Sequence, residues 1–385
     1  MIRRPPRSTP SNSSAASDVY KRQALYHGLQ RLGAVVDSST QQPLYQHVKM
    51  EAKDNELRLS ATDLEVGLTL AVREVEIESE GTILVPYARI TPLIGATPDS
   101  SISMSEEDGK VGIKTENSYF RILGEDPTDF VSVPQFPAEG VVEIDPDVLK
   151  YMVRRTAFAT AAGKGRYALH GILCVLGKEN AIELVAADGA RLAHVQKKVS
   201  NPEGLEQEII IPREGLEQMA RLADAGSEAI RFATSERRLV AENDAARMVC
   251  QLVEGQFPNY REVIPTTSEI SVQLPTKELL NAVRRAGYMT TKETHVVDFE
   301  FTDGSLTITA EAPDVGRAEV HMPVDYKGEG AGIAFNPENI EEMLAIVERE
   351  MVKMKFTDRR SPCVFKSGLD YTYVVSPVLR DEIGV

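Results

Sequence analysis

The sequence predicts an α+β fold made of three copies of one domain, and three observations lead there. Alternating strands of one design, Leu57-Arg58-Leu59-Ser60-Ala61-Thr62-Asp63, Ile182-Glu183-Leu184-Val185-Ala186-Ala187-Asp188 and Leu306-Thr307-Ile308-Thr309-Ala310-Glu311-Ala312, recur about every 125 residues, a period of whole domains and not of solenoid units. A helix-like stretch precedes each strand, and a second follows it. Around them, apolar and polar residues alternate as half-buried strands do. Each copy is therefore expected to pack two helices on antiparallel sheets, one sheet face taking the helices and the other meeting solvent or a neighbouring sheet.

In chain order, Met1–Gln23 comes first and stands apart. It is rich in Ser, Pro and Arg, nearly free of acid and without a hydrophobic stripe, so burial cannot offset the entropy of ordering it. Its prolines also argue against an amphipathic targeting helix. Ser13–Gln23 resembles translated sequencing-adapter read-through. On that reading residues 1–23 lie outside the fold, and one edge strand of the first copy is missing or badly replaced.

The first copy, 24–137, opens with the helix-like Ala24–Val36 and starts its second helix at Pro86-Tyr87-Ala88, proline being suited to a first helical turn. Asp108-Gly109 marks a tight hairpin. The second copy, 138–266, has Asp145–Ala162 and a helix start at Pro212-Arg213-Glu214. The third, 267–385, has Thr276–Met289 and Asn336-Pro337-Glu338; Val297, Phe299 and Phe301 alternate with Asp298, Glu300 and Thr302 before a turn at Asp303-Gly304.

A chain of 385 residues with 42% hydrophobic and 26% charged content has room for three cores. Cys174, Cys250 and Cys363 stand far apart in apolar runs, as buried thiols do, without the close pairing of zinc sites or disulfide frameworks. No apolar run reaches the roughly 18 residues that span a bilayer, so no membrane partner is expected. His27, His47, His170, His194, His295 and His321 lack metal-ligand spacing, and Gly163-Lys164-Gly165-Arg166 lacks both the upstream glycine and the Ser or Thr of a phosphate loop. Asp63 and Asp188 end matching strands in different copies, so they cannot meet as an acid–base pair. Asp188 with Gly189 is expected to shape a turn. No catalytic residue, metal or cofactor is expected.

The net charge of -15 argues at first against nucleic acid, which selects a basic footprint. Position matters more than the sum. Lys150 and Arg154 stand one helical turn apart, with Val148, Met152, Thr156 and Ala159 as the opposite, buried stripe. Lys277, Arg284 and Arg285 share a side while Leu279, Leu280, Val283 and Ala286 face inward. Acid gathers elsewhere, in Glu74 to Glu80 and Glu338 to Glu350, so the charges are expected to be segregated.

Five segments then carry a resemblance: Leu59 to Glu65 (LSATDLE), Arg166 to Gly171 (RYALHG), Ala187 to Leu192 (ADGARL), Glu254 to Pro265 (EGQFPNYREVIP) and Tyr373 to Pro377 (YVVSP). Together, from Ala24 to Val385, they resemble the bacterial DNA polymerase III beta subunit family, the replicative sliding clamps. The resemblance implies the DNA clamp fold and a head-to-tail homodimer closed into a six-domain ring around double-stranded DNA. It also implies a non-catalytic role without cofactor, in the cytoplasm and on the nucleoid during replication. DNA would be met without sequence preference by Lys150, Arg154, Lys164, Tyr167, Lys197, Lys198, Arg284 and Arg285. Ala168 replaces an expected aromatic, and the loop Ser38 to Gln42 lacks an expected arginine.

A cleft between the second and third domains would take linear motifs of the polymerase III catalytic subunit, the clamp loader, other polymerases and repair proteins. It would be lined by Leu169, Ala187, Gly189, Ala190, Arg191, Leu192, Pro258, Val263, Val374, Ser376, Pro377 and Val378. Ala190 stands where histidine is common, and Ser376 where methionine is. Phe120 and Ile122 on an edge strand would pair across the dimer with Tyr288 and Met289. An enzyme with a dispersed active site is the competing class.

Overall fold

The computed structural model describes residues 18–36, 40, 42–73, 75–163, 168–225 and 228–379. The described residues form two compact units, one within 18–136 and 240–250, the other within 137–239 and 251–379.

In the first unit, helix α1 (Arg22–Leu32) buries Leu25, Gly28, Leu29 and Leu32, a stripe at the spacing of one helix face. It lies on the strands Glu56–Thr62 and Val66–Val72. Gly28 is the close-approach point, because a Cβ there would sit 2.9 Å from Leu59 Cδ1. Helix α2 (Tyr87–Ala96) packs beside α1. One antiparallel sheet runs in the order Gly81–Pro86, His47–Lys53, Glu56–Thr62, Val66–Val72, Ala246–Gln251. Ala246–Gln251, an interior strand of this eight-stranded sheet, comes from the second sequence copy and pairs from Ala246↔Leu70 to Cys250↔Val66. The five-stranded sheet runs Val75–Glu76, Asp18–Lys21, Ser101–Glu107, Lys110–Lys114, Tyr119–Leu123. Asp108 and Gly109 take φ of +54° and +72°, the left-handed pair of a two-residue hairpin.

The leader is corrected at its end. Residues 18–23 belong to the fold, since Asp18–Lys21 is an interior strand between Val75–Glu76 and Ser101–Glu107 and Arg22 opens α1. Tyr20 is 3% exposed, and its hydroxyl donates to Asp18 Oδ2 at 3.0 Å. Asp18 Oδ1 accepts from the amides of Glu78 and Ser79 at 2.8 and 3.2 Å. One aromatic side chain and a satisfied carboxylate are enough to seat a strand that composition alone assigns to disorder.

In the second unit, α3 (Pro146–Thr156) starts where Asp145 accepts from the amides of Asp147 and Val148 at 2.9 and 3.0 Å, an N-cap that fixes the helix phase. That phase buries Leu149, Met152, Val153 and Thr156, leaving the expected Val148 only half-buried. Next come α4 (Arg213–Leu222), the short α5 (Tyr260–Val263), α6 (Thr276–Gly287) and α7 (Pro337–Ile346). Asn336 caps α7 by accepting from the Glu338 amide at 2.9 Å. On α6, Leu279, Val283 and Ala286 are buried, as is Ala282, while Leu280 is half-buried.

An eight-stranded antiparallel sheet runs Gln207–Pro212, Gly171–Leu176, Ala181–Ala187, Arg191–Lys198, Tyr371–Val375, Cys363–Ser367, Met351–Phe356, Ile270–Pro275. Its middle pairing, Arg191↔Val375 to Val195↔Tyr371, joins the second sequence copy to the third. A four-stranded sheet, Gly316–Pro323, Ser305–Ala312, Val297–Thr302, Ala331–Phe335, completes the third copy. There the Phe299 and Phe335 rings meet edge to face at 5.3 Å.

Gly171 opposes Pro212 in the eight-stranded sheet of the second unit, and an added Cβ would fall 2.5 Å from Ile210 Cγ2 and 2.9 Å from the Ile211 carbonyl oxygen. Gly171→Ala is expected to lower stability by about 1–3 kcal/mol, read as a fall in the urea midpoint. An unchanged midpoint would show that the two strands can part at that point.

Candidate functional site

Where the second and third copies share a sheet, a hollow of about 140 Å³ opens over it. Its floor is Ala187, Leu192 and Val374, with Leu192 facing Val374 across the strand pair. The turn at one end is built by Asp188, whose Oδ1 accepts from the amides of Ala190 and Arg191 at 2.9 and 3.0 Å. Gly189 takes φ +96° there. The same turn recurs at Asp63, whose Oδ1 accepts from Glu65 and Val66 at 2.9 and 2.7 Å with Leu64 at φ +77°. The repeated aspartates are thus turn-formers.

Ten of the twelve expected cleft residues line this hollow: Leu169, Ala187, Gly189, Ala190, Arg191, Leu192, Pro258, Val263, Val374 and Ser376. Pro377 is absent from the lining, and Val378 faces another hollow beside Asp298 and Phe299. The reason is the path of the backbone: Ser376 donates its amide to Ala190 O at 2.8 Å, but Val378 donates to Ala334 O at 2.9 Å and follows that strand away. Sequence reasoning missed Phe257, Tyr260 and Pro362. The first two stand inside the quoted EGQFPNYREVIP segment, so their aromatic character was an available signal; Pro362 sits in a loop with no periodic pattern.

Arg191 has every side of its guanidinium engaged. Nε donates to Asp188 Oδ2 at 2.9 Å, Nη2 to the Phe158 carbonyl at 3.0 Å, and Nη1 to Glu342 of α7. Burial, the largest single influence, works against its charge, but the hydrogen bonds to Glu342 and Asp188 and the electrostatic influence of Tyr373 and Glu342 together outweigh it and raise its pKa. It straps the turn to the third copy.

Tyr260 forms one wall, and its hydroxyl donates to Glu183 Oε2 at 2.6 Å. His194 Nε2 lies 2.9 Å from the same oxygen, and Arg261 Nη2 donates to Oε1 at 3.3 Å. The His194 contact first, then the Tyr260 hydroxyl and the charges of His194 and Arg261, outweigh burial and lower the Glu183 carboxyl to about 2.

The basic residues stand in mixed company. Lys150 pairs with Asp224 at 2.8 Å, Arg154 with Glu348 at 3.1 Å, Lys197 with Asp370 at 2.5 Å and Arg284 with Glu341 at 3.3 Å. The expected charge segregation is therefore corrected: α7 packs against α6 and α3, with its Glu341 beside Arg284 and Glu348, just past its end, beside Arg154. The pairs of Lys150, Arg154 and Arg284 are exposed on the cation side and contribute little to stability, which leaves those cations free to exchange partners; Lys197 and Asp370 are half-buried. Lys150 and Arg154 share a hollow with Arg213 and Arg221, two cations the sequence reading did not single out. Arg285 donates to the Asn281 carbonyl at 3.3 Å, and Lys198 is exposed. Lys164 and Tyr167 lie outside the described residues.

Phe120 and Ile122 lie on Tyr119–Leu123, the open edge of the five-stranded sheet, flanked by Tyr119 and by Leu123 at 70% exposure. Tyr288, 74% exposed, borders a hollow with Arg284 and Arg285. Met289 follows it, half-buried.

Among the described residues, no cluster of His, Cys, Asp or Glu could hold a metal, and no helix is long and apolar enough to cross a membrane. Repeated pairs of helices on antiparallel sheets define a three-domain protein of the clamp fold. The chain belongs to the DNA polymerase III beta subunit family: the N-terminal domain matches residues 19–134, the central domain 143–259 and the C-terminal domain 261–378. It is 29% identical over 366 residues to the beta sliding clamp of Chlamydia pneumoniae, covering 94% of this chain and 99% of that one. Against the Pseudomonas putida beta sliding clamp the identity is 27%, covering 93% and 98%. The crystal structure of the Pseudomonas aeruginosa sliding clamp bound to griselimycin superimposes with a TM-score of 0.89 at 26% identity, covering 95% and 100%. The Thermotoga maritima beta subunit gives 0.87 at 27%, covering 94% and 99%.

Because the Glu183 pKa is lowered on folding, its contribution to stability is present above its ordinary value of 4.5 and is lost as pH falls toward about 2. The melting-temperature gap between wild type and Glu183→Gln is expected to be widest near neutrality and to close across that window. A gap independent of pH would contradict the network.

Proposed function

We propose that this chain is a DNA polymerase processivity factor, a non-catalytic sliding clamp that encircles duplex DNA and tethers the replicative polymerase. The observation that carries the reading is the run of three beta-subunit domains, in order, along the chain. Two copies would meet head to tail, a heterologous contact that must close into a ring or run on as a filament. Three domains per chain, the first taking in residues 18–23 and running to 137 and the others spanning 138–266 and 267–385, give a six-domain ring.

Encirclement answers a physical conflict. Tight phosphate binding would hold a protein still and weaken steeply with salt through counterion release, whereas a closed ring stays on DNA with weak, sequence-independent contacts. Lys150, Arg154, Lys197, Lys198, Arg284 and Arg285 are the proposed contacts, together with Lys164 and Tyr167. The exchangeable ion pairs of Lys150, Arg154 and Arg284 suit such a role, and an overall charge of -15 would keep DNA off other surfaces.

The apolar hollow would accept linear motifs of the polymerase III catalytic subunit, the clamp loader, and other polymerases and repair proteins. An extended peptide can gain most of its binding energy from a few anchoring side chains. Ala190 and Ser376 make the trough wider than one lined by larger residues. The protein would act in the cytoplasm, on the nucleoid during replication.

Loaded with a clamp loader and ATP, the protein is expected to remain on a nicked circular plasmid and to run off after linearisation; equal loss from both would overturn the reading. For the interface, Phe120 and Ile122 are proposed to face Tyr288 and Met289 of a second copy, each burial contributing about 1.5–3 kcal/mol. Tyr288→Ala with Met289→Ala is then expected to sediment as monomer, and an unchanged dimer would remove this assignment.

A further inference from the structure

We propose that Glu183 is a positioning residue for the apolar cleft: it holds the Tyr260 wall by the phenol hydroxyl and so sets the width open to a peptide side chain. The inference rests on the cleft being the partner-peptide site.

Glu183 lines no part of the hollow, whereas Tyr260 does. Residues 183, 185 and 187 share one face of the strand Ala181–Ala187. Ala187 lies in the cleft floor, Val185 packs in the buried cluster that includes Tyr260 and Leu192, and Glu183 receives the Tyr260 hydroxyl at 2.6 Å. The tyrosine therefore reaches from the cleft, over Val185, to a carboxylate at the far end of the same strand face.

That carboxylate is largely withdrawn from water, its side chain 16% exposed. On its other sides lie His194 Nε2 at 2.9 Å and Arg261 Nη2 at 3.3 Å. The His194 ring also leans on Tyr260 at 5.6 Å. Helix α5, which carries Tyr260 and Arg261, has only four residues and no side-chain cap hydrogen bond, too short to hold its own shape. Two of its side chains converge on one carboxylate of the sheet, so Glu183 anchors the short helix where it borders the cleft. If the anchor is lost, Tyr260 can swing while the Ala187–Leu192–Val374 floor stays in place.

The test uses the full-length protein and a fluorescein-labelled, capped pentapeptide with leucine and phenylalanine anchors, read by fluorescence anisotropy, with melting temperature followed in parallel. Glu183→Ala and Tyr260→Phe are each expected to weaken binding by about threefold to tenfold, a fraction of a hydrogen bond to a charged group. The double variant is expected to be no weaker than the worse single one, because both remove the same contact. Glu183→Gln, which still accepts from the phenol, should recover part of the loss. Unchanged affinity in either single variant, or losses that add in the double, would overturn the proposal. Should Glu183→Ala fail to fold, Tyr260→Phe decides alone, since it deletes one hydroxyl and keeps the ring. A wild-type protein that does not bind the peptide overturns the cleft reading itself, a result distinct from equal binding by wild type and variants.

Discussion

The structure depends on how strand edges are satisfied. Every sheet ends in a row of unpaired amides and carbonyls that must find partners or face water. Here the repeats settle part of that requirement among themselves. Arg191–Lys198 of the second copy takes Tyr371–Val375 of the third, and Val66–Val72 of the first takes Ala246–Gln251 of the second. The same pairing scheme, used twice, turns independent domains into shared sheets. Once the second and third copies share a sheet, the Asp188 turn, the tail at Ser376 and the linker helix α5 all meet over it, and the apolar hollow follows.

Electrostatics act at two levels in the second unit. Where side chains are withdrawn from water, charges do structural work: Arg191 joins its own turn to Phe158 and Glu342, and Glu183 gathers a tyrosine, a histidine and an arginine. On the exposed helices, Lys150, Arg154 and Arg284 each sit beside a carboxylate in pairs that solvent and salt can loosen. The first kind fixes geometry, and the second leaves charge available.

Much of the fold was legible because local chemistry and tertiary structure agree. Pro and Asn at helix starts, Asp-Gly at hairpins, and alternation through Val297, Phe299 and Phe301 each specify an element by its own residues. The cleft was legible as far as its lining followed the strand pattern and the quoted segments. Pro377 and Val378 do not line the hollow, because the direction of the tail depends on a backbone hydrogen bond to Ala334 that no local pattern encodes. Charge segregation failed for a related reason: Glu341, Glu342 and Glu348 are distant in sequence from Arg284, Arg191 and Arg154, and only the packing of α7 and the residues just after it brings them together. Residues 18–21 failed in the opposite sense. Disorder was inferred from average composition, while a single tyrosine and an aspartate decide the seat of that strand.

The open strand Tyr119–Leu123 carries a wider consequence. With Tyr119, Phe120 and Leu123 outward and one side of its ladder unpaired, an isolated protomer presents an adhesive seam, the kind on which foreign strands can dock and polymerise. Assembly would then serve as protection as well as architecture. Dilution of the protein, or damage to the opposing surface, would be felt first as misassociation and proteolytic turnover, before any loss of the fold itself.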